Sequence, residues 1–190
     1  MFNDPEFAAR YAREQQKVFK WMNPPIIKGL QEHGFKGGRI LDDGCGPGYH
    51  AVSLVQVFLG SEVIGIDLSE PLLEIARKHA AENGIKEGIS FKPADVLNLP
   101  FEDNSFDAVI NTFMLHLVDD PLKMCNEIER VLKPDGQLVM IDLRRKWLLS
   151  MFEKEMRAAY TPKEALQVIG ESNLRRIDLK KNMIWWGVFG

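Results

Sequence analysis

The sequence predicts an α/β fold of three layers, in which helices cover both faces of a mostly parallel sheet of seven strands. Short apolar segments alternate with helical segments between residues 38 and 142, and parallel neighbouring strands need such helical crossovers. A glycine-rich turn follows the first apolar segment directly. The last two apolar segments are joined by a tight turn at Lys181-Asn182, which predicts a C-terminal antiparallel hairpin.

The individual elements follow from hydrophobic periodicity and turn residues. A helical pattern over residues 4–33 is interrupted at Pro24-Pro25, because proline disfavours helix at the residue before it. Strands are expected at residues 39–43, 62–66, 89–92, 106–112, 137–143, 175–180 and 183–189. Further helices are expected at residues 49–58, 70–83, 121–132, 144–160 and 162–171.

Helix starts are marked by polar capping residues followed by proline. Ser69 precedes one helix, Asp119 or Asp120 precedes another, and Thr161-Pro162 opens the last. Lys133-Pro134-Asp135-Gly136 is predicted to be a turn that leads into the fifth strand.

Length and composition indicate one globular domain. The 190 residues divide into an N-terminal helical lid (1–37), a cofactor-binding core (38–142) and a C-terminal part with helices and the hairpin (143–190). The net charge is −3, with 24 basic and 27 acidic residues, which disfavours nucleic acid as a partner.

Cysteine usage and hydropathy predict an intracellular protein. The two cysteines, Cys45 and Cys125, form no disulfide or metal-ligand spacing. The N-terminal segment lacks the apolar core of a signal peptide, and no apolar run reaches the roughly 20 residues that span a bilayer. We therefore expect a cytoplasmic monomer or homodimer with no membrane partner and no metal.

The most informative segment is the glycine turn, which has the pattern Asp42-x-Gly44-x-Gly46-x-Gly48. Glycines there let the backbone turn sharply and approach a ligand at the carboxyl end of a strand. The nicotinamide-dinucleotide fingerprint would need glycine at the position of Tyr49. The turn therefore predicts a ligand other than NAD.

Two acids follow the next two strands. Asp67 ends the second strand, 19 residues past Gly48, and suits a bidentate contact with ribose hydroxyls. Asp95 follows the third strand and suits the amino group of adenine, while the Val96 N–H suits a ring nitrogen. Taken singly, Asp67 and Asp95 are equally well explained as helix caps or loop acids. In register with the glycine turn, they predict an adenosine-containing ligand.

Residues 40–48, 65–69, 94–95, 106–109 and 132–138 resemble the motifs of class I S-adenosylmethionine-dependent methyltransferases, most closely the quinone-biosynthesis-type branch. The resemblance implies a Rossmann-like fold with S-adenosyl-L-methionine as cofactor and S-adenosyl-L-homocysteine as product. In that family the glycine turn holds the methionine part, the second-strand acid the ribose and the third-strand acid the adenine. The resulting candidates for cofactor binding are Asp42, Gly44, Cys45, Gly46, Gly48, Asp67, Leu68, Asp95, Val96, Asn111 and Tyr11.

Asp43 departs from the family pattern, which has an apolar residue at that position. Two interpretations of Asp43 stay open: a hydrogen bond to local backbone, or a contact with the ammonium group of the ligand. Cys45 is a small residue within a glycine turn, and fitting that turn explains it without a nucleophilic role.

The fourth strand ends at Asn111, and His116 follows about one turn later. In the resembled family this strand end lies beside the methionine part, so Asn111 is a cofactor contact and His116 is expected to line the pocket. His116 is the candidate catalytic base; the alternative is that it caps or packs on a neighbouring helix. A base is not obligatory, because alignment of donor and acceptor alone supplies about 7–11 kcal/mol.

The resemblance implies methyl transfer to a small-molecule acceptor by in-line displacement at the sulfonium methyl. A non-catalytic S-adenosylmethionine-binding module and another adenosine-ligand transferase are the alternatives. Tyr11 and Phe7 are expected either to form a lid over the donor or to pack the N-terminal helix on the sheet. Arg144, Arg145 and Lys146 hint at an anionic acceptor. The sequence leaves open whether carbon, oxygen or nitrogen is methylated.

Overall fold

The structure is a computed structural model that describes residues 4–143, 159–174, 177–181 and 185–190. The predicted helix at residues 144–160, with the basic run 144–146, falls almost entirely outside these ranges. Of the described helices, none has an apolar stretch long enough to cross a bilayer.

Five helices and seven strands make up the described chain. The helices are α1 (Pro5–Glu32), α2 (Tyr49–Val57), α3 (Glu70–Glu82), α4 (Pro121–Val131) and α5 (Pro162–Glu171). The strands are β1 (Arg39–Asp43), β2 (Glu62–Asp67), β3 (Ile89–Pro93), β4 (Phe106–Thr112), β5 (Leu132–Leu143), β6 (Asp178–Lys181) and β7 (Trp185–Phe189).

The strands form one sheet in the order β3-β2-β1-β4-β5-β7-β6. Strands β1 to β5 are parallel, and β7 runs antiparallel between β5 and β6. The predicted Rossmann-like α/β fold with its antiparallel hairpin is confirmed. The strand order reverses between β1 and β4, and ligands of open α/β sheets bind at the carboxyl ends of the strands beside such a reversal.

Helices pack on both faces of the sheet, as the alternation of side chains along the strands requires. On one face Ile40 and Val63 pack with residues of α1, α2 and α3. On the other face Leu41 and Val109 pack with residues of α4 and α5. Two fully buried layers therefore hold the carboxyl ends of β1, β2 and β4 in fixed register.

Helix α1 is continuous, so the predicted interruption at Pro24-Pro25 is wrong. Each proline deprives a carbonyl four residues earlier of its helical donor. Those carbonyls belong to Lys20 and Trp21, which lie on the exposed side of the helix where water can replace the donor. The buried side of α1, including Ile26, packs on the sheet and outweighs the local preference.

Strand β5 begins five residues earlier than predicted. Leu132 pairs with Phe106, and the next pair is Gln137 with Ala108, so the predicted turn at Lys133–Gly136 lies within the strand as an irregularity. The predicted caps are observed: Ser69, Asp120 and Thr161 each accept a hydrogen bond from the first turn of the helix that follows.

Candidate functional site

The glycine turn after β1 is tied to the end of β2. The N–H groups of Gly44 and Cys45 both donate to the carbonyl of Ile66, at 3.0 and 2.8 Å. Gly44 has a φ of 80°, and a β-carbon there would meet the side chain of Met114. The turn therefore needs glycine at this position and sits against the adjacent strand end.

The other two glycines of the turn differ in their surroundings. Gly48 caps α2 with a φ of 72°, and a β-carbon on it would lie 2.7 Å from that of Ala76 and 2.9 Å from the ring of Phe91. Gly48 thus allows α2 to approach α3 and β3, and it does not line the cleft described below. A β-carbon on Gly46 would meet nothing within 4 Å among the described residues, because Gly46 faces the open cleft.

Asp67 joins the glycine turn to the start of α3. Its Oδ2 accepts the N–H of Gly46 and its Oδ1 accepts the N–H of Ser69, both at 2.9 Å. Burial raises the pKa of the Asp67 carboxyl, and the N–H groups of Ser69, Gly46 and Leu68 oppose that rise. The carboxyl is thereby oriented at the carboxyl end of β2.

A cleft of about 480 Å³ opens at the carboxyl ends of β1, β2, β3 and β4. That volume suits a small-molecule ligand. Seven of the candidates line it: Tyr11, Gly44, Gly46, Asp67, Leu68, Asp95 and Val96. The structure therefore brings residues from four separate segments of the sequence to one cavity.

The cleft carries acidic and no basic side chains among its described lining residues. Asp67, Asp95 and Asp119 contribute carboxylates. Asp95 is exposed, and its Oδ1 accepts the N–H of Leu97 at 2.9 Å, which fixes the loop after β3. Three carboxylates at one cavity favour a cationic ligand.

Asp42 and Asn111, which were expected to contact the cofactor, are not among the described residues that line the cleft. Both are fully buried beneath it. Burial and the neighbouring Asp43 raise the pKa of Asp42 to about 8, while the nearby N–H of Ala51 opposes that shift. Neither carboxyl oxygen of Asp42 makes a hydrogen bond of normal geometry with the described residues.

Asp43 pairs with Asn111, an arrangement that neither sequence interpretation of Asp43 anticipated. The Asn111 Nδ2 donates to the Asp43 Oδ2 at 2.8 Å, and both side chains are fully buried. Burial raises the pKa of Asp43 to about 7 despite this hydrogen bond. The amide group expected to contact the cofactor is instead used to hold a buried carboxyl between β1 and β4.

Cys45 lies at a smaller cavity of about 30 Å³, which Tyr11 also lines. The Cys45 thiol is buried, and burial raises its pKa, so it is a poor nucleophile there. This placement agrees with the interpretation that Cys45 simply fits the turn.

His116 is held by Asp142 of β5. Its Nδ1 lies 2.6 Å from the Asp142 Oδ1, its N–H donates to the Asp142 Oδ2 at 3.2 Å, and the two side chains are only 4% and 1% exposed. His116 is not among the described residues that line the cleft, so the expectation that it does is not met. Its partner is also a strand residue and not a neighbouring helix.

The end of β4 and the segment after it supply cleft residues that sequence reasoning missed: Thr112, Phe113, Met114, Leu117, Val118 and Asp119. Phe113 has a φ of 60°, which is uncommon for an aromatic residue, and its N–H donates to the carbonyl of Ile141 at 2.8 Å. In the sequence this segment reads as an apolar continuation of β4, and no glycine or acid marks the strained turn.

Comparison with known proteins relates the chain to methyltransferases. A family model described as "Methyltransferase domain" matches residues 35–182. The demethylmenaquinone methyltransferase of Staphylococcus aureus is 40% identical over 149 residues, which cover 77% of this chain and 57% of that enzyme. The chain spans about half the length of the demethylmenaquinone methyltransferases that it matches.

Two solved structures illustrate the range of the fold. A SAM-dependent methyltransferase from Aquifex aeolicus has a TM-score of 0.77 at 23% identity and covers 98% of this chain and 97% of its own. The [4+2]-cyclase SpnF has a TM-score of 0.60 at 30% identity and covers 65% of this chain and 46% of its own. With the match of the family model over most of its length, this chain belongs to the methyltransferase-domain family.

Proposed function

We propose that the cleft binds S-adenosyl-L-methionine and that the chain transfers its methyl group to a small-molecule acceptor. One observation carries the proposal: Gly44, Gly46, Asp67 and Asp95 line a single cavity at the carboxyl ends of the strands. Membership of the methyltransferase-domain family supports the same conclusion. The acidic lining supports a cationic donor, since S-adenosyl-L-methionine carries a sulfonium and its product does not.

Asp67 is the proposed contact for the ribose hydroxyls. Each of its oxygens already accepts one backbone N–H. A carboxylate offers about four acceptor sites, which leaves about one on each oxygen for a bidentate contact with a vicinal diol. The backbone bonds keep those sites directed toward the cleft.

Asp95, Val96 and Leu68 are the proposed contacts for adenine. The exposed Asp95 carboxylate accepts the Leu97 N–H at its Oδ1 and has further acceptor sites for a ligand. Leu68 lines the cleft yet is 68% exposed. Covering that side chain with a flat apolar ring would remove it from water.

The remaining candidates are proposed to act through the shape of the turn. Asp42, Gly48 and Asn111 lie beneath or behind the loop and fix its position, while Gly44 and Gly46 expose backbone to the methionine part of the donor. The donor supplies an already activated methyl group. The chain's own contribution is to align donor and acceptor, which is worth about 7–11 kcal/mol.

Tyr11 is the proposed lid residue. It lines both the cleft and the smaller cavity, and its ring stacks on Phe7 with centroids 6.2 Å apart. The division into a lid (1–37), a core (38–142) and a C-terminal part (143–190) stays a prediction. The cytoplasmic location, the oligomeric state and the absence of a nucleic-acid partner stay predictions.

The first acceptor to test is demethylmenaquinone, because the curated relatives described above are named demethylmenaquinone methyltransferases. The experiment is to incubate the protein with methyl-labelled S-adenosyl-L-methionine and a panel of quinones, phenols and amines. We expect labelled product together with S-adenosyl-L-homocysteine. Donor binding without transfer to any member would favour the non-catalytic module, and no donor binding would refute the proposal.

A further inference from the structure

The outer face of α1 carries a stripe of basic residues around an exposed tryptophan. We name Arg10, Arg13, Lys17, Lys20 and Trp21 the basic stripe. At 3.6 residues per turn these positions fall within an arc of about 100°. The arc lies opposite the buried residues Ala8, Ile26 and Leu30 that pack α1 on the sheet.

The basic side chains of the stripe make no hydrogen bond or ion pair within the described part of the chain. No hydrogen bond or ion pair joins Arg13, Lys17 or Lys20 to a described residue, and Arg10 only stacks over Phe7 at 5.2 Å. Glu6 and Glu14 are the acids exposed near the stripe. Four cations against two acids form a positive surface on a chain whose net charge is −3.

Trp21 distinguishes this face from an ordinary solvated helix surface. It is 81% exposed, although tryptophan is mostly buried on average. Tryptophan prefers the interface between water and lipid, where its ring is apolar and its N–H reaches polar groups. Lysine and arginine beside it match anionic headgroups.

We infer that the basic stripe docks the protein on an anionic phospholipid surface. The sequence predicted no membrane partner because it has no spanning segment, but a contact of this kind needs none. Helix α1 also contributes Tyr11 to the cleft. Docking through α1 therefore holds the helix that borders the cleft at the lipid surface.

The test is co-sedimentation of the full chain with vesicles of phosphatidylcholine, alone or mixed with phosphatidylglycerol. We expect binding only to the mixed vesicles, and weaker binding at high salt. Each basic residue at such a surface is worth about fivefold in affinity, so Lys17→Glu/Lys20→Glu lowers binding at least about 25-fold. Trp21→Ala lowers it severalfold and abolishes the blue shift of tryptophan fluorescence on binding.

The matched control is Lys86→Glu/Lys163→Glu, which makes the same change in net charge at two exposed lysines outside α1. It keeps wild-type binding if the stripe is the docking face. Circular dichroism and donor titration show that every variant is folded, and they separate this test from that of the proposed activity. Absent binding, equal binding to both vesicles, equal loss in the control, or tighter binding to an oligonucleotide would each overturn the inference.

Discussion

Replacing Asp43 with asparagine should make the protein more stable, by an amount that grows with pH. Burial raises the pKa of the Asp43 carboxyl from 3.8 to about 7. Between these two pH values the Asp43 carboxyl is deprotonated in the unfolded chain and protonated in the folded chain. Folding therefore takes up a proton, and this uptake becomes less favourable as pH rises. The contribution of Asp43 to stability is therefore most favourable below pH 4 and declines until about pH 7.

The magnitude follows from the two pKa values. One pKa unit corresponds to about 1.36 kcal/mol, so Asp43 costs roughly 2 kcal/mol at pH 5 and roughly 4 kcal/mol at pH 8. Asp43→Asn removes this charge but keeps an oxygen that can accept the Asn111 amide, as Asp43 does at 2.8 Å. The gain in unfolding free energy over wild type should increase by about 2–3 kcal/mol between pH 5 and pH 8.

Urea denaturation at pH 5, 6, 7 and 8 measures the difference in unfolding free energy between Asp43→Asn and wild type. Asp135→Asn, at an exposed position of β5, is the control and should change the unfolding free energy little. If the difference in unfolding free energy for Asp43→Asn were independent of pH, burial would not raise the pKa of the Asp43 carboxyl toward neutrality. The reasoning would then be refuted.

The remaining predictions concern the turn and His116. Gly48→Ala should destabilise the fold by more than about 1 kcal/mol, because a β-carbon at a φ of 72° would lie 2.7 Å from that of Ala76; an unchanged melting temperature would contradict this. Gly46→Ala should destabilise the fold less than Gly48→Ala, because only the left-handed backbone with a φ of 50° opposes the new methyl group, and it should weaken donor binding in calorimetry, because that group faces the cleft; equal affinity would contradict it. If His116 is a base, Asp142→Asn should lower kcat and shift its pH profile while leaving donor affinity unchanged, since the 2.6 Å contact holds the ring. A loss of stability with an unshifted pH profile would mean that His116 only packs within the fold and is not a base.

Local signals were sufficient to predict most of the fold. Strand β4 and helix α5 have the predicted bounds, because buried apolar runs and a Thr161-Pro162 start are short-range features. The failure at Pro24-Pro25 arose from packing: the local cost of two prolines is outweighed by a buried helix face that only the assembled sheet provides.

The candidate site was predictable from the sequence where the local backbone conformation requires a particular residue type. Glycines in a tight turn and acids at strand ends mark the cleft directly, as Gly46 and Asp67 show. The pairing of Asp43 with Asn111 joins side chains 68 residues apart, and the left-handed turn at Phe113 has no sequence marker. Such features depend on strand register, which the sequence does not state.

The decisive measurement is calorimetric titration of S-adenosyl-L-methionine into wild type and Asp67→Asn. Asp135→Asn is the control, because it changes the net charge by the same amount. We expect micromolar binding to wild type and to the control, about −7 to −8 kcal/mol. Loss of the charged acceptors for two ribose hydroxyls should cost about 2–3 kcal/mol, or roughly 30- to 150-fold, in Asp67→Asn. Equal affinity of the folded variant and wild type would mean that the carboxylate at the end of β2 does not hold the nucleoside.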